Sequence, residues 1–350
     1  MAYYIDEFPG RTIVLEQEEF LYFGGTSYLG LQGDADFQDL HIANIKKYGT
    51  HYGASRNSNI RFSIYEQTEN YLCNLVGSEA CTTLSSGYLT GQMVVQYFDK
   101  PTFEFFYAPN THASLSKSNV CSYSTFASLA IALREHLAQK PHIVPLVLLD
   151  TVDFSGTHYP DFEGLKSLPL DKVILIADDS HGIGILGTQG GSMYRYLLSL
   201  APMELIVCCS LGKSLGIQAG AIFGTKSRID QFTNTPFFGG ASPAAPAAMA
   251  TLIKTTAIFH KKRTALQKNI ALFKQKLGQN IHFTSMPYHP AFSFKNPALS
   301  EYLEKNKVLV TNFHYPDASA EMKSRIVINA QHTPKDIERL SLLLKTFFSP

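Results

Sequence analysis

Lys213 stands in Ser210-Leu211-Gly212-Lys213-Ser214, directly after the apolar run Leu205-Ile206-Val207-Cys208-Cys209. A second run, Val173-Ile174-Leu175-Ile176-Ala177, opens onto Asp178-Asp179-Ser180-His181. An amine, two carboxylates and an imidazole thus each follow a short continuous apolar stretch. Such stretches have the length and flanks of parallel strands buried on both faces, a pattern they share with short buried helices. Open α/β sheets bind ligands beyond the carboxyl ends of their strands, so these side chains should emerge together. A lysine able to form a Schiff base, opposite an aspartate able to hold a pyridine nitrogen protonated, is the constellation that pyridoxal phosphate requires.

Two rival readings of the same residues fail on context. Gly212-Lys213-Ser214 ends like a nucleotide-binding P-loop, but that loop needs a glycine five positions before Gly212, where Val207 stands. Gly182-Ile-Gly184-Ile-Leu-Gly187 matches the letters of a dinucleotide fingerprint. Four polar residues separate it from its strand, Thr188-Gln-Gly-Gly-Ser follows in place of a helix, and Glu204 begins a strand that a ribose-binding acid should end. Taken singly, a lysine at a strand end is usually a solvated cation, and an aspartate or histidine in a loop is usually a cap or turn residue. Ser85-Ser86-Gly87-Tyr88 precedes a predicted helix. It reads equally as a plain helix cap or as a start whose N–H groups receive a phosphate.

The elements that must position this set are those of an α/β protein. Thr12–Leu15, Pro145–Asp150, Val173–Ala177 and Ala219–Gly224 read as strands, Ser63–Val76 as a helix, and Asn110–Lys117 as a loop. This alternation predicts a mostly parallel sheet covered on both faces. After Gly239-Gly-Ala-Ser-Pro243 the pattern changes to one long helical stretch, Ala247–Leu277, with a bend allowed for, then strands at 292–294 and 325–329. The last helix has Thr333 as cap, Pro334 in its first turn, and an apolar stripe of Ile337, Leu340, Leu343, Leu344 and Phe347.

The 350 residues suffice for a large core, and 30 basic against 29 acidic side chains, without a basic block, remove the electrostatic case for nucleic acid or an anionic membrane. No apolar run reaches the length of a membrane span, and the first residues lack a basic start and apolar stretch for export. Five cysteines without Cys-x-x-Cys spacing suggest reduced thiols in a cytoplasmic protein, and the 12 scattered histidines suggest no metal site.

At this point the chain resembles the α-oxoamine synthases, a branch of the fold-type-I pyridoxal-phosphate enzymes, from about Tyr22 to the final helix. Ala177-Asp-Asp-Ser-His-Gly-Ile-Gly-Ile-Leu-Gly187 resembles their Asp-Asp/Glu-Ala-His-x-x-Gly-x-x-Gly segment, and Ser210-Leu-Gly-Lys213 their Thr/Ser-x-x-Lys. Tyr28-Leu-Gly-Leu31, Ser86-Gly87-Tyr88, His112-Ala-Ser114 and Arg325-Ile-Val-Ile-Asn-Ala-Gln-His-Thr333 complete the ordered series. The resemblance implies an aspartate-aminotransferase-like fold of type I with a smaller α+β lobe. Residues 1–40 would join that lobe, 41–235 would form the cofactor-binding domain, and 236–350 the C-terminal domain with its long linking helix.

The same resemblance implies roles. Lys213 would carry the cofactor as a Schiff base and later move a proton, Asp178 would pair with the pyridinium, His181 would reach the phenolic oxygen, and His112 would stack over the ring. Ser86, Gly87, Tyr88 and the Ser210 hydroxyl would hold the phosphate. Arg325 would grip a substrate carboxylate, with Ser27 and Asp150 on the substrate side. Ser27 and Asp150 replace the family's Asn and Glu, Gly91 an Asn, Tyr65 a His, and Gly240-Ala241 a Thr-Ser pair, and a deletion falls near 154–156. The implied reaction is a decarboxylating condensation of a small α-amino acid with an acyl-CoA, in a homodimer whose 239–243 loop reaches the neighbouring site. Alternatives are an aminotransferase or carbon–carbon lyase of the same fold, and a non-catalytic partner subunit.

Overall fold

The computed structural model describes residues 3–117, 122–154, 163–278, 282–315 and 318–349. Two sheets organise the chain. The larger has six strands in the order β3-β8-β7-β6-β5-β4. These are β3 (Ala80–Leu84), β4 (Phe103–Tyr107), β5 (Val144–Asp150), β6 (Ile174–Asp178), β7 (Glu204–Ser210) and β8 (Gly220–Gly224). Strands β4 to β7 are mutually parallel, and β8 is antiparallel to both its neighbours. The two apolar runs are thus adjacent parallel strands, as their flanks suggested. Their lack of polar alternation follows from cover on both faces. Leu149, Leu175, Ala177 and Val207 belong to one buried cluster, while Leu148, Ile174, Ile176 and Ile206 belong to another on the opposite side.

The smaller sheet takes strands from both ends of the chain, in the order β1-β2-β10-β11-β9. They are β1 (Thr12–Leu15), β2 (Glu18–Phe23), β9 (Ala291–Ser293), β10 (Val308–His314) and β11 (Met322–Val327). Strand β2 was hidden in the sequence by the glycines that follow it, yet it pairs with both β1 and β10. The final helix, Pro334–Phe348, begins with a reciprocal cap between Thr333 and Asp336 and buries Ile337, Leu340 and Leu344.

One expectation needs correction. The stretch Ala247–Leu277 is two helices, Pro246–Lys254 and Thr256–Leu277. At Thr255 both the backbone N–H and the hydroxyl turn to the carbonyl of Leu252, at 3.3 and 3.0 Å, which interrupts the α-helical ladder. Among the described residues no helix is long and apolar enough to cross a membrane.

Candidate active site

The register of the large sheet brings the proposed site together. Asp150, Asp178 and Cys208 are direct cross-strand partners at the carboxyl ends of β5, β6 and β7. Lys213 lies just beyond, in the loop joining β7 to β8. That loop is closed by Leu211 N–H to Ala219 and Ile217 N–H to Leu211, and Gln32 donates to the carbonyls of both Gly212 and Lys213 at 2.8 and 2.9 Å. The lysine backbone is therefore fixed while its amine is left over. Among the described residues nothing hydrogen-bonds or ion-pairs with Nζ. Burial lowers its pKa, against the opposing charges of Asp178 and Asp150.

Asp178 is 8% exposed and held on two sides. Its Oδ1 accepts the N–H of Ser180 at 2.8 Å, and its Oδ2 accepts the hydroxyl of Ser114 at 2.6 Å. The His112 ring stands beside it, with Nδ1 3.9 Å from Oδ2. Burial lowers the His112 pKa, and Asp178 opposes the shift. Asp150 accepts the backbone N–H of His112 at 2.9 Å, and burial together with the Asp178 charge pushes its pKa well up. Asp179, the other carboxylate of the pair, points away from this group. It receives the Thr151 hydroxyl and the Met193 N–H, and burial raises its pKa to about 6. Its work is to tie down the turn after β6.

His181 follows that turn. Its Nδ1 lies 2.8 Å from the phenol of Tyr28, which is 1% exposed, and its carbonyl accepts Nε2–H of His289. With Tyr28 as donor, the neutral imidazole carries its proton on Nε2; burial depresses the pKa and keeps the ring neutral. Ser27, one residue earlier, accepts Gly30 N–H through its carbonyl, and no hydrogen bond engages its hydroxyl among the described residues. Tyr28, not Ser27, makes the side-chain link to the site.

The helix Gly87–Phe98 starts against the ends of β7 and β8. Ser86 caps it by accepting Leu89 N–H, which leaves the N–H groups of Gly87 and Tyr88 at the open first turn. A Cβ on Gly87 would lie 2.6 Å from Ser210 Cα, and one on Gly220 would lie 2.3 Å from the Ser86 carbonyl oxygen. Two glycines thus allow a backbone approach that places Ser86, Gly87, Tyr88 and Ser210 around one space. The expected 239–243 loop is only partly one, since Gly239 and Gly240 end the helix Pro236–Gly240; the carbonyl of Ser242 beyond it accepts Ser85 N–H of the same chain. Gly91 has a similar explanation: a Cβ there would meet the Ser114 carbonyl at 2.5 Å, so no larger residue fits.

Arg325 reaches the site from the other sheet. Its guanidinium lies 3.6 Å from the ring centroid of Phe154, which packs edge-on against His181 and His289. Tyr315, just beyond β10, stacks near His112 with its hydroxyl 2.6 Å from Nε2. Sequence reasoning missed Ser114, Tyr28, Phe154 and Tyr315 as site residues. Ser114 and Tyr28 lie within motifs already singled out, whereas nothing local marks Phe154 or Tyr315.

Pyridoxal phosphate fits these residues. A depressed, unengaged amine faces two carboxylates, a neutral imidazole stands beside one of them, and glycines hold open a helix start with free N–H groups. The chain is similar to 8-amino-7-oxononanoate synthase of Hahella chejuensis, at 24% identity over 98% of this chain and 91% of that one. Among solved structures, serine palmitoyltransferase from S. paucimobilis with a pyridoxal-phosphate–myriocin adduct superposes with a TM-score of 0.81. It shares 18% identity and covers 99% of this chain and 92% of that one. The 8-amino-7-oxononanoate synthase of Francisella tularensis superposes at 0.69, with 19% identity over 94% and 99% of the two chains. The architecture is fold type I. No family model matches the chain. Its resemblance to the α-oxoamine synthases runs along nearly its full length.

Proposed function

We propose that this chain is a pyridoxal-phosphate-dependent acyltransferase of the α-oxoamine synthase type, condensing a small α-amino acid with an acyl-CoA and releasing its carboxylate. The observation that carries the reading is the unengaged Lys213 amine beside Asp178 at the ends of adjacent parallel strands. When bound, the cofactor supplies an electron sink for negative charge at the amino acid α-carbon.

The chain's own residues do the rest. Lys213 holds the cofactor, and its depressed pKa favours a neutral Nζ able to take up and return a proton. Asp178 would pair with the ring nitrogen, and its two donors fix the orientation of its carboxylate. His181 would direct Nε2–H toward the phenolic oxygen, and His112 would cover the ring. The open N–H groups of Gly87 and Tyr88, with the hydroxyls of Ser86 and Ser210, meet the phosphate. Arg325, held flat by Phe154, offers a planar donor edge for a carboxylate. Ser27 and Asp150 belong to this site through their neighbours Tyr28 and His112. A homodimer with the 239–243 segment at its interface, in the cytoplasm, is part of the same proposal.

A panel of amino acids and acyl-CoA thioesters, followed by CoA release, tests the reading with Lys213→Ala as control. CoA release that needs both substrates and Lys213 supports it. Amino-group transfer to a keto acid without CoA release favours the aminotransferase instead.

A further inference from the structure

The turn at 28–32 reaches two of the groups assigned to the cofactor. Its first side chain, Tyr28, places a phenol 2.8 Å from Nδ1 of His181. Its last, Gln32, lies in the short 3-10 turn Leu31–Gly33 and donates from Nε2 to the carbonyls of Gly212 and Lys213, at 2.8 and 2.9 Å. Between them Leu29 and Leu31 are buried in the core and anchor the turn.

The two carbonyls belong to the peptide groups immediately before and after the Lys213 Cα. One side chain, 181 positions away, thus holds both peptide planes from which the lysine side chain departs. A primary amide suits this task, because a single nitrogen carries two hydrogens and no charge. Exchanging its nitrogen and oxygen would set an oxygen against two carbonyl oxygens, so the orientation is fixed. Packing alone does not explain the residue. Its Oε1 is buried and accepts no hydrogen bond among the described residues, a cost that an apolar side chain of the same length avoids. The lysine loop also has the shape that this approach needs. Gly216 has φ +70°, and a Cβ there would lie 2.9 Å from the Leu31 Cβ.

We propose that Gln32 is a positioning residue for Lys213, clamping the peptide groups on both sides of its Cα and so setting the direction in which the amine enters the site. Tyr28 holds His181 from the same turn, so one short segment fixes the two groups relative to each other. In the proposed reaction Nζ takes a proton from the substrate carbon, the electron pair of the broken C–H bond staying with carbon. An error in that approach slows the transfer far more than it weakens binding. The role in proton transfer rests on the function proposed above; the clamp itself does not.

The test uses the full chain and Gln32→Met, which keeps the side-chain length and removes both hydrogens, with Gln32→Leu as a second variant lacking the donor. Without cofactor, amide hydrogen exchange in the peptide covering 211–219 should quicken about tenfold in both variants, while exchange in β6 stays unchanged. Those amides include Leu211 and Ile217, whose hydrogen bonds close the loop. With pyridoxal phosphate bound, α-proton exchange into D2O is followed for glycine, alanine or serine, whichever the wild type exchanges fastest. That rate should fall about tenfold, and the dissociation constant of the same amino acid, read by absorbance, should stay within about twofold. Unchanged loop exchange overturns the clamp. Quickened loop exchange with an unaltered α-proton rate overturns the positioning role, and so does an equal loss of binding and rate, which would place Gln32 in the substrate pocket. Absent α-proton exchange in the wild type would defeat the proposed function and with it the role in proton transfer. Loop exchange reports the clamp alone, so the two failures are distinguished.

Discussion

Asp178 and Arg325 face the same space from different sheets and are held by different means. Asp178 ends β6, a strand buried at every position and paired on both sides, and each of its oxygens accepts a defined donor. Arg325 lies on β11, half-buried, and among the described residues makes no ion pair; its guanidinium rests on the face of Phe154. The first wall is organised before any ligand arrives. The second fixes the plane of its cation and leaves its hydrogen-bonding edge unspent. That contrast suits a site in which one cofactor is kept and successive substrates come and go.

Removing the charge from the organised wall should have the larger effect. Asp178→Asn keeps the shape and the Ser180 hydrogen bond but cannot stabilise a protonated ring nitrogen, so turnover should fall by about a hundredfold or more, about 3 kcal/mol in barrier height. A loss below threefold in steady-state assays, with normal melting, breaks the claim that this wall is electrostatic.

Acid should loosen the small sheet through a particular imidazole. His332 follows β11, accepts Asn329 N–H on Nδ1, donates Nε2–H to the Tyr22 carbonyl on β2, and stacks on Phe23. Burial lowers its pKa to about 4. Between the ordinary histidine value of about 6.5 and that value, the unfolded chain binds a proton that the native side chain refuses. The stability present above pH 6.5 is therefore lost progressively toward pH 4, by about 3 kcal/mol. Denaturant unfolding at pH 7 and 4.5 should show that difference in wild type and a smaller one in His332→Gln; equal differences contradict it.

The unspent wall should respond more mildly. Arg325→Lys replaces a planar fork with a point charge, so the KM for the amino acid should rise about tenfold while cofactor uptake is unchanged. Equal losses in cofactor affinity and substrate KM would merge the two walls into one.

The two walls also differ in how far the sequence discloses them. Val173–Ala177 and Leu205–Cys209 lack alternation because both of their faces are buried, so strand and strand end could be read together, and with them Asp178 and Lys213. Ser86 and Gly87 were legible for a similar reason, since a cap residue and a close-approach glycine leave local marks. Tyr315 and Phe154 leave none. Their importance arises from contacts with residues 203 and 171 positions away, set by how the two sheets meet. Ser27 lies beside a second signal that its motif did not single out: the neighbouring Tyr28 has the buried hydroxyl and the link to His181. A bend within 247–277 could be allowed for, but its place could not be read, because Thr255 interrupts the ladder with a hydroxyl that is common inside helices.

The central claim is that the amine at position 213 carries pyridoxal phosphate. Incubating the full chain with the cofactor, reducing with borohydride and mapping the peptides by mass tests it directly. One cofactor per chain, on the peptide containing Lys213 and absent from Lys213→Ala, is the predicted result. Attachment at another lysine, or no stable attachment in wild type, would contradict it.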